Sequence, residues 1–290
     1  MKKCSYCGKE YPDEATNCLI DGESLPRSAV ESADVAAPIE PAAADTATSE
    51  EQEPATLPAT SNWTEKQLLI IELVLVCLIA FGGSLFYSMR FLANENFTPQ
   101  KSTNFTWYYA MMRQGVSLGL VWYLLLRRGK KFSDLGLRWA PKDFGWSILL
   151  NVGGGIAHYM VYACLYLSGL TATGQHEAGA RVGQLLFGGN VFYSTLLFQF
   201  LNPFFEELIV RAYLMTAVRQ LTSSATIAVL LSTFVQSSYH LYQGVPSAIA
   251  HGATFLLWSI YYAKTSRISP VILAHLYSDV GATVLYMLRQ

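Results

Sequence analysis

From residue 67 to residue 288 the chain alternates long apolar stretches with short polar ones. A run of about 20 mainly apolar residues is long enough to cross a bilayer core as a helix. The pattern predicts seven such helices, over 67–89, 105–126, 144–167, 191–218, 225–239, 246–263 and 268–288. The fifth is short for a span. Residues 132–143 read as an interfacial segment, and the Gly-rich stretch 171–189 as a surface loop that can re-enter. The first 62 residues have no such runs. Within them, 27–62 is built from Ala, Pro, Thr, Ser and Glu, with Arg27 as its single basic residue and no aromatic. A segment of that kind buries too little apolar area to offset chain entropy, so it is expected to be disordered. The predicted fold class is all-α: a polytopic transmembrane helix bundle of about seven spans over 63–290. A small module over 1–26 and the linker 27–62 precede it.

Composition sharpens this picture. The chain is 52% hydrophobic and 14% charged, against about 25% charged in soluble domains. A net charge of -1, with no broad basic surface, argues against a nucleic-acid partner. Met-Lys-Lys-Cys is not the opening of a secretory signal, and the first apolar run comes too late for one, so it reads as a span. Basic residues cluster after the second span (Arg127, Arg128, Lys130, Lys131, Arg138, Lys142), after the fourth (Arg219) and after the sixth (Lys264, Arg267). With seven spans these loops fall on one side, which the positive-inside rule makes the cytoplasm. The expected location is the cell membrane, multi-pass, with a cytoplasmic amino terminus.

The amino-terminal module carries Cys4, Cys7, Cys18 and Asp21, spaced Cys-x2-Cys-x10-Cys-x2-Asp, with Gly8 and Gly22 nearby. Two such pairs on tight turns suit tetrahedral zinc, and a reducing cytosol keeps the thiolates available. A metal-free turn module and a disulfide that leaves one Cys over are the alternatives. The segment resembles the short zinc ribbons of many bacterial membrane proteins, in which Cys-x-x-Asp-Gly replaces a second Cys pair. That resemblance implies structural zinc and a role in recruiting a protein partner. Cys77 and Cys164 lie in apolar runs and read as buried thiols.

The most informative residues lie inside the spans. Glu206, Glu207 and Arg211 occur in Phe-Phe-Glu-Glu-Leu-Ile-Val-Arg. Charges at bilayer depth are costly and usually mark function. Glu207 and Arg211 are four apart and share a face, so Glu207 is expected to be structural. Glu206 lies about 100° round the helix, free for chemistry. Pro203 cannot bond the carbonyl of Gln199 and can kink the helix just before the pair. His240 closes the fifth span, four residues after Gln236. His275 and Asp279 share a face of the seventh, where a carboxylate can orient an imidazole or help bind water. On straight helices His240 and His275 would differ in depth by about 13 Å, a gap that a recessed fifth helix or a vestibule must close. His251 reads as a hydrogen-bonding residue of the bundle, and His158 and His176 carry no motif.

Taken together, Glu-Glu-x-x-x-Arg, a His in the next span and His-x-x-x-Asp in a late span resemble the CPBP family. These are the CAAX-protease and bacteriocin-processing intramembrane proteases, also called the Abi family. The resemblance covers about 144–288 and is sharpest over 203–279. It implies that Glu206 activates the attacking water and that His240 helps hold that water or a metal. It implies that His275 and Asp279 complete the site, while Glu207 and Arg211 support the helix. Members are commonly called metalloproteases, so a divalent metal held by Glu206, His240 and His275 is one implied arrangement. Direct use of Glu and His is the other. The family has Phe where this chain has Gln236, which can add a hydrogen bond to the site or mark altered substrate choice.

Two functions follow from different classes. One is an integral-membrane endopeptidase cutting a peptide or lipidated peptide near the membrane surface. The other is a non-catalytic membrane scaffold or immunity protein that recruits partners through its zinc ribbon. Loss of cleavage in a folded Glu206→Gln protein separates them.

Overall fold

The computed structural model describes residues 2–3, 10–12, 15, 63–93, 102–171 and 192–288. Cys4, Cys7, Cys18, Asp21, the linker expected over 27–62 and nearly all of the loop 171–189 lie outside these residues. The chain divides into two units, Met1–Leu68 and Leu69–Gln290. In the first, β1 (Lys2–Lys3) pairs antiparallel with β2 (Glu10–Tyr11), Lys2 opposite Tyr11 and Lys3 opposite Glu10.

The rest of the described chain is helices and short connections. The helices are α1 (Glu65–Ala93), α2 (Asn104–Arg127), α3 (Lys142–Leu167), α4 (Phe192–Glu206), α5 (Leu214–Thr222), α6 (Ala225–Tyr239), α7 (Val245–Thr265) and α8 (Ser269–Leu288). A π-helical segment, Glu207–Tyr213, joins α4 to α5 without a break. The described helical bodies thus follow the seven apolar runs of the sequence. Local chemistry sets the boundaries. At the start of α2, Thr103 and Thr106 bond each other's backbone N–H at 3.3 and 3.2 Å, a reciprocal cap. Ser223 takes a left-handed φ of 56° and ends α5. The Ser224 side chain then accepts the Ile227 N–H and starts α6.

The distribution of polarity is inverted relative to a soluble protein. Large apolar side chains are exposed along α1 (Ile70, Val74, Leu75, Leu78) and α3 (Leu149, Val152, Ile156, Met160), whereas Glu207, Arg211 and Gln236 are fully buried. Soluble proteins rarely expose such continuous apolar faces. Two helices, α1 and α3, are long and apolar enough to cross a membrane by length and composition, and α6 is a shorter apolar helix. Helices α4 and α5, divided by the π-helical segment, are 15 and 9 residues long and fall short on length, whereas α2 carries Arg113, Gln114 and several Tyr and Trp.

The segment 132–143, expected at the interface, docks on one end of the bundle. After a 3-10 turn at Phe132–Leu135, the buried carbonyl of Leu135 accepts Tyr262 Oη at 3.0 Å. Arg138 exchanges backbone bonds with the Ser269 hydroxyl at 3.0 and 2.8 Å. Arg267 grips both Asp143 oxygens at 2.7 and 2.8 Å. Two of the three basic loops therefore meet at one end of the bundle. The cause is unsatisfied backbone: the buried Leu135 carbonyl needs a donor, and Tyr262 in the last turn of α7 supplies it.

Helix α3 packs closely on α7 at Gly154. A Cβ there would stand 2.7 Å from Thr254 Cγ2 and 3.1 Å from Trp258 Nε1. Neither neighbour can yield, since Thr254 Oγ1 donates to the Gly154 carbonyl and Trp258 Nε1 to that of Leu150. Gly154→Val is expected to destabilise the protein by about 1–3 kcal/mol, read as a lowered Tm in detergent. Gly145→Ala, on the same helix with nothing near its Cβ, should leave Tm unchanged or raise it slightly.

Candidate active site

The site forms where α4 gives way to the π-helical turn. Pro203 sits inside α4 and leaves the Gln199 carbonyl without its helical donor. Four residues on, hydrogen bonding widens to a π turn, and the Leu214 N–H reaches the Ile209 carbonyl. Single π turns often occur at functional sites, where they re-aim side chains. Here the widened carbonyls find outside donors: Ser232 Oγ of α6 bonds the Val210 carbonyl at 3.0 Å.

The two adjacent glutamates have different partners. Glu207 is ion-paired with Arg211, and its Oε1 accepts from His275 Nδ1 at 2.7 Å. Arg211 lies over the rings of Phe255 and Trp258, 5.5 and 5.3 Å from their centroids. Glu206 makes no ion pair among the described residues. Its Oε1 accepts from Asn202 Nδ2 at 3.0 Å. Its Oε2 accepts from Tyr239 Oη at 2.7 Å and from Gln236 Nε2 at 3.1 Å. Three neutral donors stabilise the carboxylate without covering it with a cation.

Asn202 is positioned in turn by Gln114 of α2, whose Nε2 donates to Asn202 Oδ1 at 2.8 Å. Tyr239 is positioned by Phe81 of α1, stacked on it with centroids 4.6 Å apart and planes within 1°. Gln236 leans toward both carboxylates, 3.1 Å from Glu206 and 3.5 Å from Glu207. The sequence reading missed Asn202, Tyr239, Gln114 and Phe81. Spacing alone pointed to Asn202, which lies four residues before Glu206 on one helix face; the others carry no local signal.

His240 caps α6 and its Nδ1 lies 2.8 Å from the Gln236 carbonyl. A carbonyl only accepts, so Nδ1 carries the proton and Nε2 of the neutral ring presents a lone pair. For His275 the close carboxylate is Glu207. Asp279 stands farther off, its Oδ1 3.6 Å from Nε2. The expected orienting partner on the same helix is therefore at ion-pair range, and the hydrogen bond comes from another element.

A cavity of about 170 Å³ has Glu206, His240, His275 and Asp279 in its wall, together with Arg113, Asn202 and Tyr239. His240 and His275 line this one cavity, so the offset of about 13 Å expected of straight helices does not keep them apart. A larger cavity of about 440 Å³ shares His240, Gln243, His275 and Asp279 with the first. His158 and His251 line this second space, their ring centroids 4.4 Å apart. The structure gives His251 ring contacts with His158, His240 and Phe255 rather than a hydrogen bond among the described residues.

Among the described residues no three His, Cys, Asp or Glu side chains are arranged to hold a metal ion. Glu206 is engaged by three donors, and His275 is bonded at Nδ1 and faced by Asp279 at Nε2. As placed, Glu206, His240 and His275 line one cavity, each with hydrogen-bond partners of its own.

Tyr239→Phe keeps the ring stack and removes one donor to Glu206. A hydrogen bond to a charged group contributes roughly 1.5–3 kcal/mol, so a loss of about that size is expected in detergent unfolding. Tyr242→Phe, which makes no bond to Glu206, is the comparison and should lose less.

A model of the Rce1-like family, described as type II CAAX prenyl endopeptidase Rce1-like, matches residues 188–281. That stretch is about a third of the chain and contains Glu206, Glu207, Arg211, His240, His275 and Asp279. Over it the chain is similar to that family, in keeping with the CPBP resemblance of the motifs. No curated protein and no solved structure matches the chain.

Proposed function

We propose that the protein is a multi-pass membrane endopeptidase of CAAX-protease-like type that hydrolyses a peptide bond with water activated by Glu206. The observation carrying this reading is the unequal treatment of the two glutamates. Glu207 is bound by Arg211 and His275, whereas Glu206 faces a cavity shared with His240, His275 and Asp279. The match to a prenyl endopeptidase family over this stretch supports it, as does the burial of polar groups inside an apolar exterior.

A cavity of about 170 Å³ has room for several waters. One of them can donate its two hydrogens to Glu206 and to the Nε2 lone pair of His240. Its oxygen lone pair is then free to attack a carbonyl carbon. Glu206 takes the proton as the C–O bond forms. His275, between the carboxylates of Glu207 and Asp279, can hold a second proton and donate to the oxyanion. The C–N bond then breaks, and the proton on Glu206 passes to the leaving amine. No step in this scheme passes through a metal.

The substrate class is a peptide or lipidated peptide cleaved near the membrane surface. The amino terminus is assigned to the cytoplasm, with Cys4, Cys7, Cys18 and Asp21 holding structural zinc in a module that recruits a protein partner. These assignments rest on the basic loops and the cysteine spacing.

Glu206→Gln keeps the shape and cannot take a proton, so the protein should fold with near-normal Tm and be nearly inactive. Glu207→Gln leaves Arg211 buried without its charge partner, and should cost about 3–5 kcal/mol, lowering Tm and yield first. The measurement is melting temperature beside turnover per folded molecule in detergent. Normal turnover by Glu206→Gln would remove Glu206 from the mechanism, and a stable but inactive Glu207→Gln would exchange the two roles.

A further inference from the structure

Arg113 lies outside the stretch that resembles a protease, near the middle of α2 (Asn104–Arg127). It lines the same 170 Å³ cavity as Glu206. Its one hydrogen bond among the described residues runs from Nη1 to the Ala80 carbonyl at 2.6 Å, a neutral acceptor on α1. No carboxylate within ion-pairing distance is found for it among the described residues. The other cations near the core are matched: Arg211 has Glu207, and Arg267 has Asp143.

An arginine inside a membrane protein is expected to face a functional cavity and to have an anion or carbonyl to answer it. Glu206 lines the same cavity, but its own oxygens are bonded by Asn202, Tyr239 and Gln236. The Ala80 carbonyl fixes one nitrogen of the guanidinium. The remaining N–H groups form the planar fork that matches a carboxylate in bidentate fashion. The cavity is small and lined by polar side chains, among them Ser84, Gln199 and Gln243. That suits a compact anion better than the bulk of a drug-sized ligand, which needs several hundred Å³.

Resting on the endopeptidase reading, we infer that Arg113 binds a carboxylate carried by the peptide substrate, anchoring it beside the bond that Glu206-activated water attacks. Arg113 is thus a specificity-determining residue. The carboxylate can be the substrate's own C-terminus or an Asp or Glu side chain close to the scissile bond.

The test uses full-length protein in detergent and internally quenched peptides in matched pairs. One pair differs only in a free C-terminal carboxylate against an amide, and the other only in an internal Glu against Gln. Wild type should favour the acid member of one pair by roughly 10- to 100-fold in kcat/KM, the range expected for hydrogen bonds to a charged group. That pair identifies the source of the carboxylate. Arg113→Gln should bring the acid-to-neutral ratio of kcat/KM close to one, whatever its effect on the neutral member, and a Tm in detergent close to that of wild type shows that the variant is folded. Arg113→Lys should keep part of the preference, having the charge without the fork.

Equal loss on acid and neutral members in Arg113→Gln would mean that the guanidinium serves Glu206, and would overturn the inference. Indifference of wild type to both pairs would overturn it too. Binding of the same peptides to Glu206→Gln protein separates this idea from the catalytic one. If wild type cleaves nothing, the endopeptidase reading fails, and an acid preference in binding that disappears in the Glu206→Gln, Arg113→Gln double variant still supports the anion site. Absence of that binding preference sinks the site itself.

Discussion

The arrangement depends on one buried ion pair, Glu207 with Arg211, closed by His275. Both charged side chains are fully buried, where an unpaired charge would be prohibitive. The pair cannot dissolve into solvent, so the elements around it must hold their places. Arg211 is covered by Phe255 and Trp258 of α7, Glu207 holds His275 of α8, and the Ser232 hydroxyl of α6 closes the π turn between them. Three helices are thereby fixed around a single turn of a fourth. Glu206 is the residue immediately before Glu207 and inherits that rigidity. With Glu207 tied on one side, Glu206 projects into the space lined by α1, α2, α6 and α8.

The sequence made the charged skeleton legible because its parts are local. Glu207 with Arg211, and His275 with Asp279, are four apart, so helical geometry alone places each pair on one face. The seven helical bodies were equally local, being runs of apolar residues. What the sequence did not reveal is non-local or neutral. Tyr239, Gln114 and Phe81 are ordinary residues of apolar helices, and nothing in their spacing ties them to Glu206. His275 takes its close bond from Glu207, 68 positions away, in place of its helical neighbour Asp279. The π turn was hidden as well, since Glu-Leu-Ile-Val-Arg-Ala-Tyr has a periodicity indistinguishable from an α-helix over so few residues. The docking of 132–143 went unread because it follows from unsatisfied carbonyls in the final packing, not from any amphipathic pattern.

Gln236 shows how a departure from a family pattern can be read physically. An aromatic ring at this position would leave Glu206 with Asn202 and Tyr239 as donors. The amide adds a donor that reaches Glu206 at 3.1 Å and leans toward Glu207 at 3.5 Å. Its nitrogen must be the end that faces the carboxylates, because an oxygen there would meet two anions. Its Oε1 is buried without a partner, so the interaction with the glutamates has to outweigh an unsatisfied carbonyl of about 1–3 kcal/mol. Two carboxylates in consecutive positions repel each other. A shared neutral donor relieves that repulsion without neutralising either one.

The same logic distinguishes the two cavities. They share the wall of His240, Gln243, His275 and Asp279, so a bond reaching that wall can be approached from both sides. The smaller space contains the carboxylate with its neutral donors and the guanidinium of Arg113, which suits water and a compact anion. The larger one, at about 440 Å³, falls within the range that accommodates a sizeable organic ligand, and apolar groups such as Phe255, Trp258 and Leu285 contribute to its lining. On the proposed endopeptidase reading, a peptide with a lipid or bulky apolar group would place its apolar part in the larger cavity, its scissile carbonyl at the histidine wall and its charged end toward Arg113. In that orientation the low-dielectric surroundings strengthen each interaction made at the wall. The separation of charge set by Glu207 and Arg211 would then reach beyond the fold, to the direction in which a substrate enters.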